Sequence, residues 1–267
     1  MSVYPVSGID VSEWEGLIDC SKAAQNAHFI SVKANEGEYT DPQFLNTWAH
    51  AKQNGMRRTA FSWLTISDSI RNQAQRFADL LKNDPGEIEP YIDYEEGNVF
   101  WSKKNPYTGK RGNNHLSFGE LSGFIFYFKE ALKVYHPVWP WKYDIGIYTG
   151  YSYWQTYGTI DPAFTAHPLW ISEPDPVVQP AALRPWGLGQ WRFWQTQFAG
   201  DASLYGIDPK VAKGVDVDVF YSSQTQFDID YGGGIVVAPQ PVNSVTFAQY
   251  PGVIFDVYAD YTVKIRG

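Results

Sequence analysis

The stretch Tyr91-Ile92-Asp93-Tyr94-Glu95-Glu96-Gly97 decides how this chain is interpreted, because it combines the pattern of a strand with two closely spaced acids. Residues i and i+2 of a strand point to the same face of the sheet, so Asp93 and Glu95 are predicted to project together. Like charges at that spacing push the two pKa values apart, and one carboxyl group can hold a proton while the other stays ionised. Such a pair suits glycoside hydrolysis. A strand that ends in two solvated acids has the same pattern.

Segments with strand and helix patterns alternate on both sides of this stretch. The other strand patterns occupy residues 6–12, 29–34, 59–64, 143–148, 169–172, 189–195 and 215–220. The helix patterns occupy residues 21–27, 44–54, 67–82 and 118–136. Alternation favours a parallel sheet, and eight strands over roughly 220 residues favour a closed barrel. We therefore predict an α/β fold, a TIM-like barrel over residues 1–222, with a short β-rich tail over residues 223–267.

Four acids fall at or near the strand ends where barrel enzymes carry their chemistry. Asp10 lies at the end of the first predicted strand, Asp93 and Glu95 at the end of the fourth, and Asp216 on the eighth. Acids that converge from three strands indicate a catalytic site more strongly than one Asp-x-Glu pair does. Asp218 shares a strand face with Asp216, so either residue can be the fourth acid.

The composition argues against several classes of function. The net charge of −8 disfavours a general nucleic-acid binder. No apolar stretch is long enough to span a bilayer and no leader pattern opens the chain, so neither membrane insertion nor a signal peptide is predicted. Aromatic residues make up 17% of the chain. Such an excess is common in proteins that stack on sugar rings, although protein cores and interfaces use aromatic residues too.

No metal ion and no cofactor are predicted. The histidines show no paired ligand spacing; they are His28, His50, His115, His136 and His167. Acids alone would hold a hard cation only weakly. Cys20 is the single cysteine and cannot form a disulfide within the chain.

Short motifs occur in a fixed order along the chain. They are Gly8-Ile9-Asp10-Val11-Ser12, Val32-Lys33-Ala34-Asn35-Glu36-Gly37, Tyr39-x-Asp41-Pro42-x-Phe44, Ile92-Asp93-Tyr94-Glu95, Ile147-Tyr148-Thr149, Leu169-Trp170-Ile171, Trp194-Gln195 and Val215-Asp216. In this order they resemble the motifs of the glycoside hydrolase family 25 muramidases, the Chalaropsis-type lysozymes, over about residues 6–221. The resemblance implies an irregular barrel with eight strands and about five helices. It also implies hydrolysis of the β-1,4 bond between N-acetylmuramic acid and N-acetylglucosamine in peptidoglycan.

The resemblance further implies roles for individual residues. Glu95 matches the family's general acid, and Asp93 matches the carboxylate that orients or stabilises the acetamido group of the substrate. Asp10 and Asp216 match outer acids that polarise and position the substrate. The residues implied to bind substrate are Tyr148, Lys33, Glu36, Trp194, Gln195, Phe61, Trp63 and Trp170. A structural ion pair is an equally good interpretation of Lys33 and Glu36.

The chain departs from the family pattern at a few positions. It has Phe61-Ser62-Trp63 where relatives often have Tyr-His-Phe, and Glu13 where they often have His, Asn or Tyr. Asp218 stands where relatives often carry Asn. The loop over residues 97–114 is locally basic, and it is either a solvated loop or a flap that contacts the sugar polymer.

Three functions stay open at this point. The first is a peptidoglycan muramidase. The second is a chitinase-like hydrolase, because chitinases also end their fourth strand in Asp-x-Glu, although they carry a longer acidic series and lack the Asp10 motif. The third is a non-catalytic glycan-binding or phage structural protein on the same barrel.

The last residues lie outside the resemblance. Gly232-Gly233-Gly234 and Pro239-Gln240-Pro241 have the composition of a linker or turn, and the alternating residues after them indicate strands. The tail is too short to build much of a core, so we expect it to pack on the barrel, self-associate, or attach to a virion or cell wall. Without a leader, a muramidase resembles a phage endolysin or a virion-borne enzyme that acts on the bacterial cell wall, outside the cytoplasm.

Overall fold

The chain divides into two compact units, Met1–Tyr231 and Gly232–Gly267. A computed structural model describes residues 4–66, 68–95, 116–174 and 179–232, together with the backbone of three strands beyond residue 242. The basic loop singled out over residues 97–114 lies outside the described residues. Within the described part of the chain, none of the helices has the length and apolarity needed to cross a membrane.

The first unit alternates strands and helices. Its strands are β1 (Ser7–Val11), β2 (Phe29–Glu36), β3 (Tyr39–Thr40), β4 (Arg57–Trp63), β5 (Tyr91–Asp93), β6 (Gly146–Gly150), β7 (Leu169–Ser172), β8 (Phe193–Asp201) and β9 (Gly214–Phe220). Its α-helices are α1 (Cys20–Ala23), α2 (Phe44–Gln53), α3 (Ile70–Leu81), α4 (Phe118–Tyr135), α5 (Tyr151–Tyr157) and α6 (Gln224–Tyr231). Short 3₁₀ helices occupy Glu13–Glu15, Pro162–Ala166 and Ala202–Tyr205.

Eight of these strands close an α/β barrel, which confirms the predicted fold class. The strands follow the order β1, β2, β4, β5, β6, β7, β8 and β9, and β9 pairs back onto β1. The short strand β3 forms a hairpin with β2 outside this circle. The β-rich tail is also confirmed, because β10 (Asn243–Thr246), β11 (Ile254–Val257) and β12 (Val263–Arg266) form an antiparallel sheet in the second unit.

The expectation of a parallel sheet is wrong for the last strand. The pairings from β1 through β8 are parallel, whereas β9 runs antiparallel to both β8 and β1. A parallel return needs a long crossover, usually helical, but the link from β8 to β9 holds only a 3₁₀ helix and turns. Asp216 therefore lies near the start of β9, and the reversed strand brings that start to the mouth of the barrel beside Asp10.

Aromatic rings fill the opposite end of the barrel. The buried rings that form this floor come mainly from the first residues of the parallel strands and the last residue of β9; they are Phe29, Tyr91, Trp170, Phe193 and Phe220. Trp170 and Phe193 stack with ring centroids 4.6 Å apart, and Tyr91 meets Trp170 edge-on at 5.1 Å. Helix α6 packs its Phe227 and Tyr231 onto this floor. Helix α6 is thus part of the first compact unit, which extends to Tyr231.

Alternation along the strands separates the outer core from the barrel interior. Ile9 and Ile92 belong to the hydrophobic cluster between the sheet and the helices, which also contains Phe77 and Phe124 of α3 and α4. Their neighbours Asp10 and Asp93 consequently face the interior. The same alternation that buries the isoleucines outside the barrel positions the acids inside it.

The packing of the aromatic floor requires a glycine on β6, where the ring of Tyr91 lies against the backbone of that strand. A Cβ atom on Gly146 would overlap the ring of Tyr91, and that ring is buried and held by a hydrogen bond from its hydroxyl to Glu89 at 2.8 Å. We expect Gly146→Ala to lower the free energy of unfolding by about 1–3 kcal/mol, as overpacking does in closed cores.

The matched control is Gly119→Ala on the exposed first turn of α4, where the nearest atom to the new methyl group is Ser117 Oγ at 3.8 Å. This change should be neutral or stabilise the protein by up to about 1 kcal/mol. Urea unfolding of the two variants measures the contrast. Equal stability of both variants would contradict the tight floor.

Candidate active site

A cavity of about 210 Å³ opens at the carboxyl ends of the parallel strands. The carboxyl groups that line it belong to Asp10, Glu15, Asp93, Glu95 and Asp216. The aromatic rings that line it belong to Trp14, Phe61, Trp63, Tyr91, Tyr148 and Trp170. All four acids predicted to be catalytic therefore meet in one cavity, although they are distant in sequence.

Asp10 and Asp216 lie opposite each other in the pairing of β1 with β9. Gln195 of β8 joins them, because its Nε2 donates hydrogen bonds to Asp10 Oδ2 at 3.0 Å and to Asp216 Oδ2 at 2.9 Å. Burial raises the pKa of Asp10 to about 7, against the lowering effect of its hydrogen bond with Gln195. Burial and the charge of Asp10 raise the pKa of Asp216 to about 8.

Gln195 is fixed from its other side. Its Oε1 accepts hydrogen bonds from the hydroxyl groups of Tyr148 at 2.8 Å and Ser172 at 2.6 Å. The side chain was predicted to bind substrate, yet it does not line the cavity. Its amide instead connects strands β6, β7 and β8 with the two acids, so it sets the orientation of groups that do line the cavity.

Asp93 and Glu95 lie at the end of β5. The strand ends at Asp93, and Glu95 lies two residues past that end, so the two acids reach the cavity from a strand end rather than from one regular strand face. Burial raises the pKa of Asp93 well above its ordinary value, and the charge of Glu95 adds to the effect. Burial and the charge of Asp216 raise the pKa of Glu95 to about 7.

The surroundings therefore raise the pKa of both Asp93 and Glu95. The sequence had predicted instead that the two pKa values would be pushed apart. Lys33 acts in the opposite direction on each of them. Among the described residues, Asp93 Oδ1 has no hydrogen-bond partner. The pair can supply a proton near neutral pH and still present a free acceptor to a ligand.

Lys33 both forms the structural ion pair and lines the cavity, the two roles considered for it from the sequence. Its ammonium group pairs with Glu36 Oε2 at 2.5 Å and lies 4.5 Å from the centroid of the Trp63 ring, while the side chain also lines the cavity. Glu36 is not a lining residue; it reaches the site through this ion pair. The ion pair and the ring together hold the ammonium group beside the acids.

Trp194 does not lie where a substrate-binding role requires. Its neighbour Gln195 points inward, so the Trp194 ring points out of the barrel. There its Nε1 donates to Glu173 O at 2.7 Å, and the ring packs edge-on against Trp191 with centroids 5.6 Å apart. In the Trp194-Gln195 motif, the tryptophan ring therefore packs outside the barrel, and the glutamine amide binds acids inside it. The predicted rings of Phe61, Trp63 and Trp170 and the phenol of Tyr148 do line the cavity.

Two lining residues that were not predicted lie on the 3₁₀ helix after β1. Glu15 Oε2 accepts from Ser12 N at 2.7 Å and Ser12 Oγ at 3.1 Å, which closes a capping box. Burial raises the pKa of Glu15 above its ordinary value. Trp14 next to it is 73% exposed, an unusual state for a tryptophan ring. The Ser-x-x-Glu spacing at Ser12 was a signal for this turn.

Glu13, the departure from the family pattern, also lies on this turn. Its backbone N–H donates to Asp41 Oδ2 at 2.8 Å, and its carboxyl group accepts from the Tyr39 hydroxyl at 2.7 Å. Asp41 lies three residues before α2, which begins at Phe44 as the helix pattern predicts. Asp41 serves the rim as well, since it also accepts from Gln43 N at 2.8 Å.

Either Asp216 or Asp218 was predicted to be the fourth acid of the site, and the two differ in how deeply they are buried. Asp216 lines the cavity, whereas Asp218 lies one inward-facing position further along β9 and is completely buried. The Trp170 Nε1 donates to Asp218 Oδ1 at 3.0 Å. Asp216 is therefore the acid that a ligand in the cavity can reach.

Comparison with known proteins gives concordant matches. The sequence profile of the Glycosyl hydrolases family 25 matches residues 9–207. The Escherichia coli (strain K12) protein YegX is 30% identical over 154 residues, which cover 52% of this chain and 55% of YegX. The chain thus spans about half the length of this curated relative.

Two solved structures share the fold. The bacterial lysozyme from Streptomyces coelicolor superimposes with a TM-score of 0.63 at 24% identity, over 86% of this chain and 99% of that one. A family 25 glycosyl hydrolase from Bacillus anthracis superimposes with a TM-score of 0.64 at 24% identity, over 86% of this chain and 95% of that one.

The raised pKa of Glu95 predicts a pH-dependent gain in stability on its removal. Because its folded-state pKa of about 7 lies above its ordinary 4.5, the bound proton stabilises the fold at low pH, and that contribution is lost as the pH rises through 7. Glu95→Gln stays neutral throughout. We expect it to match the wild type near pH 4 and to be more stable by about 1–3 kcal/mol at pH 8.

Calorimetric melting of both proteins across this pH range measures the difference, with Glu130→Gln on the exposed face of α4 as the control for removing one negative charge. A stability difference between Glu95→Gln and the wild type that does not grow with pH would contradict the raised pKa.

Proposed function

This chain belongs to the Glycosyl hydrolases family 25, and we propose that it is a lysozyme, a 1,4-β-N-acetylmuramidase that cleaves peptidoglycan between N-acetylmuramic acid and N-acetylglucosamine. The observation that supports this most directly is the meeting of Asp10, Asp93, Glu95 and Asp216 in one open cavity. Placing several carboxyl groups together away from water costs stability, and a fold retains such a cluster where its chemistry is used.

Glu95 is the general acid in this proposal. With a pKa of about 7 it carries its proton below neutral pH, as an acid that protonates a glycosidic oxygen must. As the bond from the anomeric carbon to that oxygen breaks, the Glu95 proton passes to the leaving sugar and positive charge develops on the ring that remains. Glu95 is left as the carboxylate, and a water molecule then completes the hydrolysis: its oxygen bonds to the anomeric carbon and its released proton restores the Glu95 acid.

In this proposal, Asp93 contacts the acetamido group of the sugar ring on which positive charge develops. Its Oδ1 has no partner among the described residues, so it is available to the acetamido group of the substrate. An acceptor at that position orients the acetamido group of the substrate for the reaction. Asp10 and Asp216, held by Gln195, position the sugar from the opposite side of the cavity.

The aromatic lining supplies the binding surface. Phe61, Trp63, Trp170 and Tyr148 form the walls and floor, and sugar rings present apolar faces that stack on such rings. The Tyr148 hydroxyl donates its proton to Gln195, so towards the substrate it can act only as an acceptor, and its ring adds to the binding surface. Lys33 and its partner Glu36 fix the position of Trp63.

The partner in this proposal is the glycan strand of peptidoglycan, and the place of action is the bacterial cell wall. An endolysin-like or virion-borne role, and attachment or self-association through the tail after residue 222, stay predictions. A chitinase-like activity and a purely binding role are the competing outcomes of the activity test.

Replacement of the general acid should abolish turnover while the fold stays intact. We expect Glu95→Gln to lower kcat/KM on purified peptidoglycan by about 10²–10⁴-fold, because proton donation is lost and the shape is kept. Mass analysis of the digest should find N-acetylmuramic acid at the new reducing ends with the wild type. Circular dichroism and melting confirm folding of the variant.

Chitin oligomers serve as the parallel substrate. Their cleavage without release of muropeptides would favour the chitinase-like alternative. Binding to cell walls without any new reducing ends, by wild type as well as Glu95→Gln, would refute the proposed activity and favour a glycan-binding protein.

The exposed ring of Trp14 should act in binding more than in chemistry. It lines the cavity at the rim, while Phe198 on β8 is 57% exposed and does not line it. We expect Trp14→Ala to raise KM about three- to tenfold, the scale of one aromatic contact, with little change in kcat. Phe198→Ala is the matched control. Equal kinetics of the two variants would show that Trp14 makes no contact with the glycan.

A further inference from the structure

Asp218 is a buried carboxyl group that the proposed reaction does not use. It lies on β9 between the aromatic floor and the acids of the cavity, opposite Gly8 of β1 and Gln195 of β8, and its exposed fraction is 0%. A substrate in the cavity cannot reach it. Its role must therefore be exerted through a neighbouring residue.

The hydrogen bonds of Asp218 are incomplete for an ionised group. Oδ1 accepts from Trp170 Nε1 at 3.0 Å, but Oδ2 receives no N–H or O–H donor from the described residues. In the part of the chain that the structure describes, no lysine, arginine or histidine forms a salt bridge with it. A buried carboxylate with one donor and no cation would be strongly destabilising.

The residue next to this incompletely hydrogen-bonded carboxyl group is Asp10. Asp218 pairs with Gly8, two residues before Asp10 on the same face of β1, so the two carboxyl groups are diagonal neighbours within hydrogen-bonding range of each other. Two carboxylates cannot form a hydrogen bond, because an ionised carboxyl group only accepts. One of the two must carry a proton on the shared side.

We propose that Asp218 is a positioning residue, held as a neutral carboxylic acid whose O–H group donates to Asp10. The hydrogen bonds then form a chain from the barrel floor to the cavity: Trp170 donates to Asp218, and Asp218 donates to Asp10. Asp10 also accepts from Gln195, so two donors from different strands fix its orientation. The significance for catalysis rests on the proposed muramidase function, whereas the protonation of Asp218 does not.

The surrounding groups place the proton on Asp218. The ionisable groups around it are Asp10 from β1, Asp216 from β9 and Tyr205 from the 3₁₀ helix between β8 and β9. Burial raises the pKa of Asp218 well above its ordinary value, and the charges of Asp10 and Asp216 add to this. The same hydrogen bond lowers the pKa of Asp10, which already has the Gln195 donor.

Two variants separate the donor from the space it fills. Asp218→Asn keeps a carbonyl oxygen for Trp170 and an N–H donor for Asp10, whereas Asp218→Ala removes both. We expect Asp218→Ala to lower kcat/KM on peptidoglycan about tenfold or more, the scale of one charge-assisted hydrogen bond, and Asp218→Asn to restore most of that loss. A loss in Asp218→Asn as large as in Asp218→Ala would overturn the donor role.

The protonation state is measured without any substrate. The infrared difference spectrum of wild type minus Asp218→Asn at pH 7 should contain the carbonyl band of a protonated carboxylic acid. Glu89→Gln, at a second buried carboxyl group whose pKa is raised to about 7, is the matched control for assigning the band. A carboxylate band in the Asp218 difference spectrum would refute the proposal.

The dependence of stability on pH is a second test of the proton on Asp218. Since the folded-state pKa of Asp218 is raised, its bound proton stabilises the wild type at low pH, and this advantage declines as the pH rises. The melting temperature of Asp218→Asn should therefore gain on that of the wild type between pH 4 and pH 8. A melting temperature of Asp218→Asn that stays constant or falls relative to that of the wild type over this range would contradict the proposal. If the acid band is present but peptidoglycan is not cleaved, the muramidase function fails and the protonated Asp218 stands.

Discussion

The structure depends on a cluster of carboxyl groups that have lost most of their water. Aromatic rings close the barrel below Asp10, Asp93 and Asp216, so the repulsion between these acids is weakly screened. The fold limits the cost in three ways. Gln195 donates to Asp10 and Asp216, Lys33 acts on Asp93 and Glu95, and the remaining repulsion is relieved by bound protons. Those protons are what an acid-catalysed hydrolysis requires, so the cost in stability and the chemistry have one origin.

The reversal of β9 makes this cluster possible. A parallel eighth strand would bring its last residues to the mouth of the barrel, but the antiparallel strand brings Asp216 there and places Asp218 one layer below. Two acids of one strand then have different surroundings. Asp216 faces the cavity and is held by Gln195, while Asp218 is sealed between Trp170 and Asp10. One strand thus provides both a group for the ligand and a group that positions its neighbour.

Much of this arrangement could be predicted from alternation along the strands. Isoleucine and valine next to Asp10 and Asp93 require an outer core, which leaves the acids inside. The direction of β9 could not be predicted in this way, because period-two patterning is identical for parallel and antiparallel strands. The Trp194-Gln195 motif alone does not show which of its two residues faces the cavity, because adjacent strand residues face opposite sides; Gln195 points inward and Trp194 points outward. The rim turn carrying Trp14 had a capping-box signal, but exposure of the ring depends on tertiary contacts that the pattern does not contain.

Burial and crowding by neighbouring acids raise the pKa of Glu95 to about 7. This pKa can be measured by following the carboxyl carbon of Glu95 by nuclear magnetic resonance as the pH is raised from 3 to 9, with the signal assigned by its loss in a variant without that carboxyl group. We expect a titration midpoint near 7. A midpoint near 4.5, the ordinary value for glutamate, would contradict it.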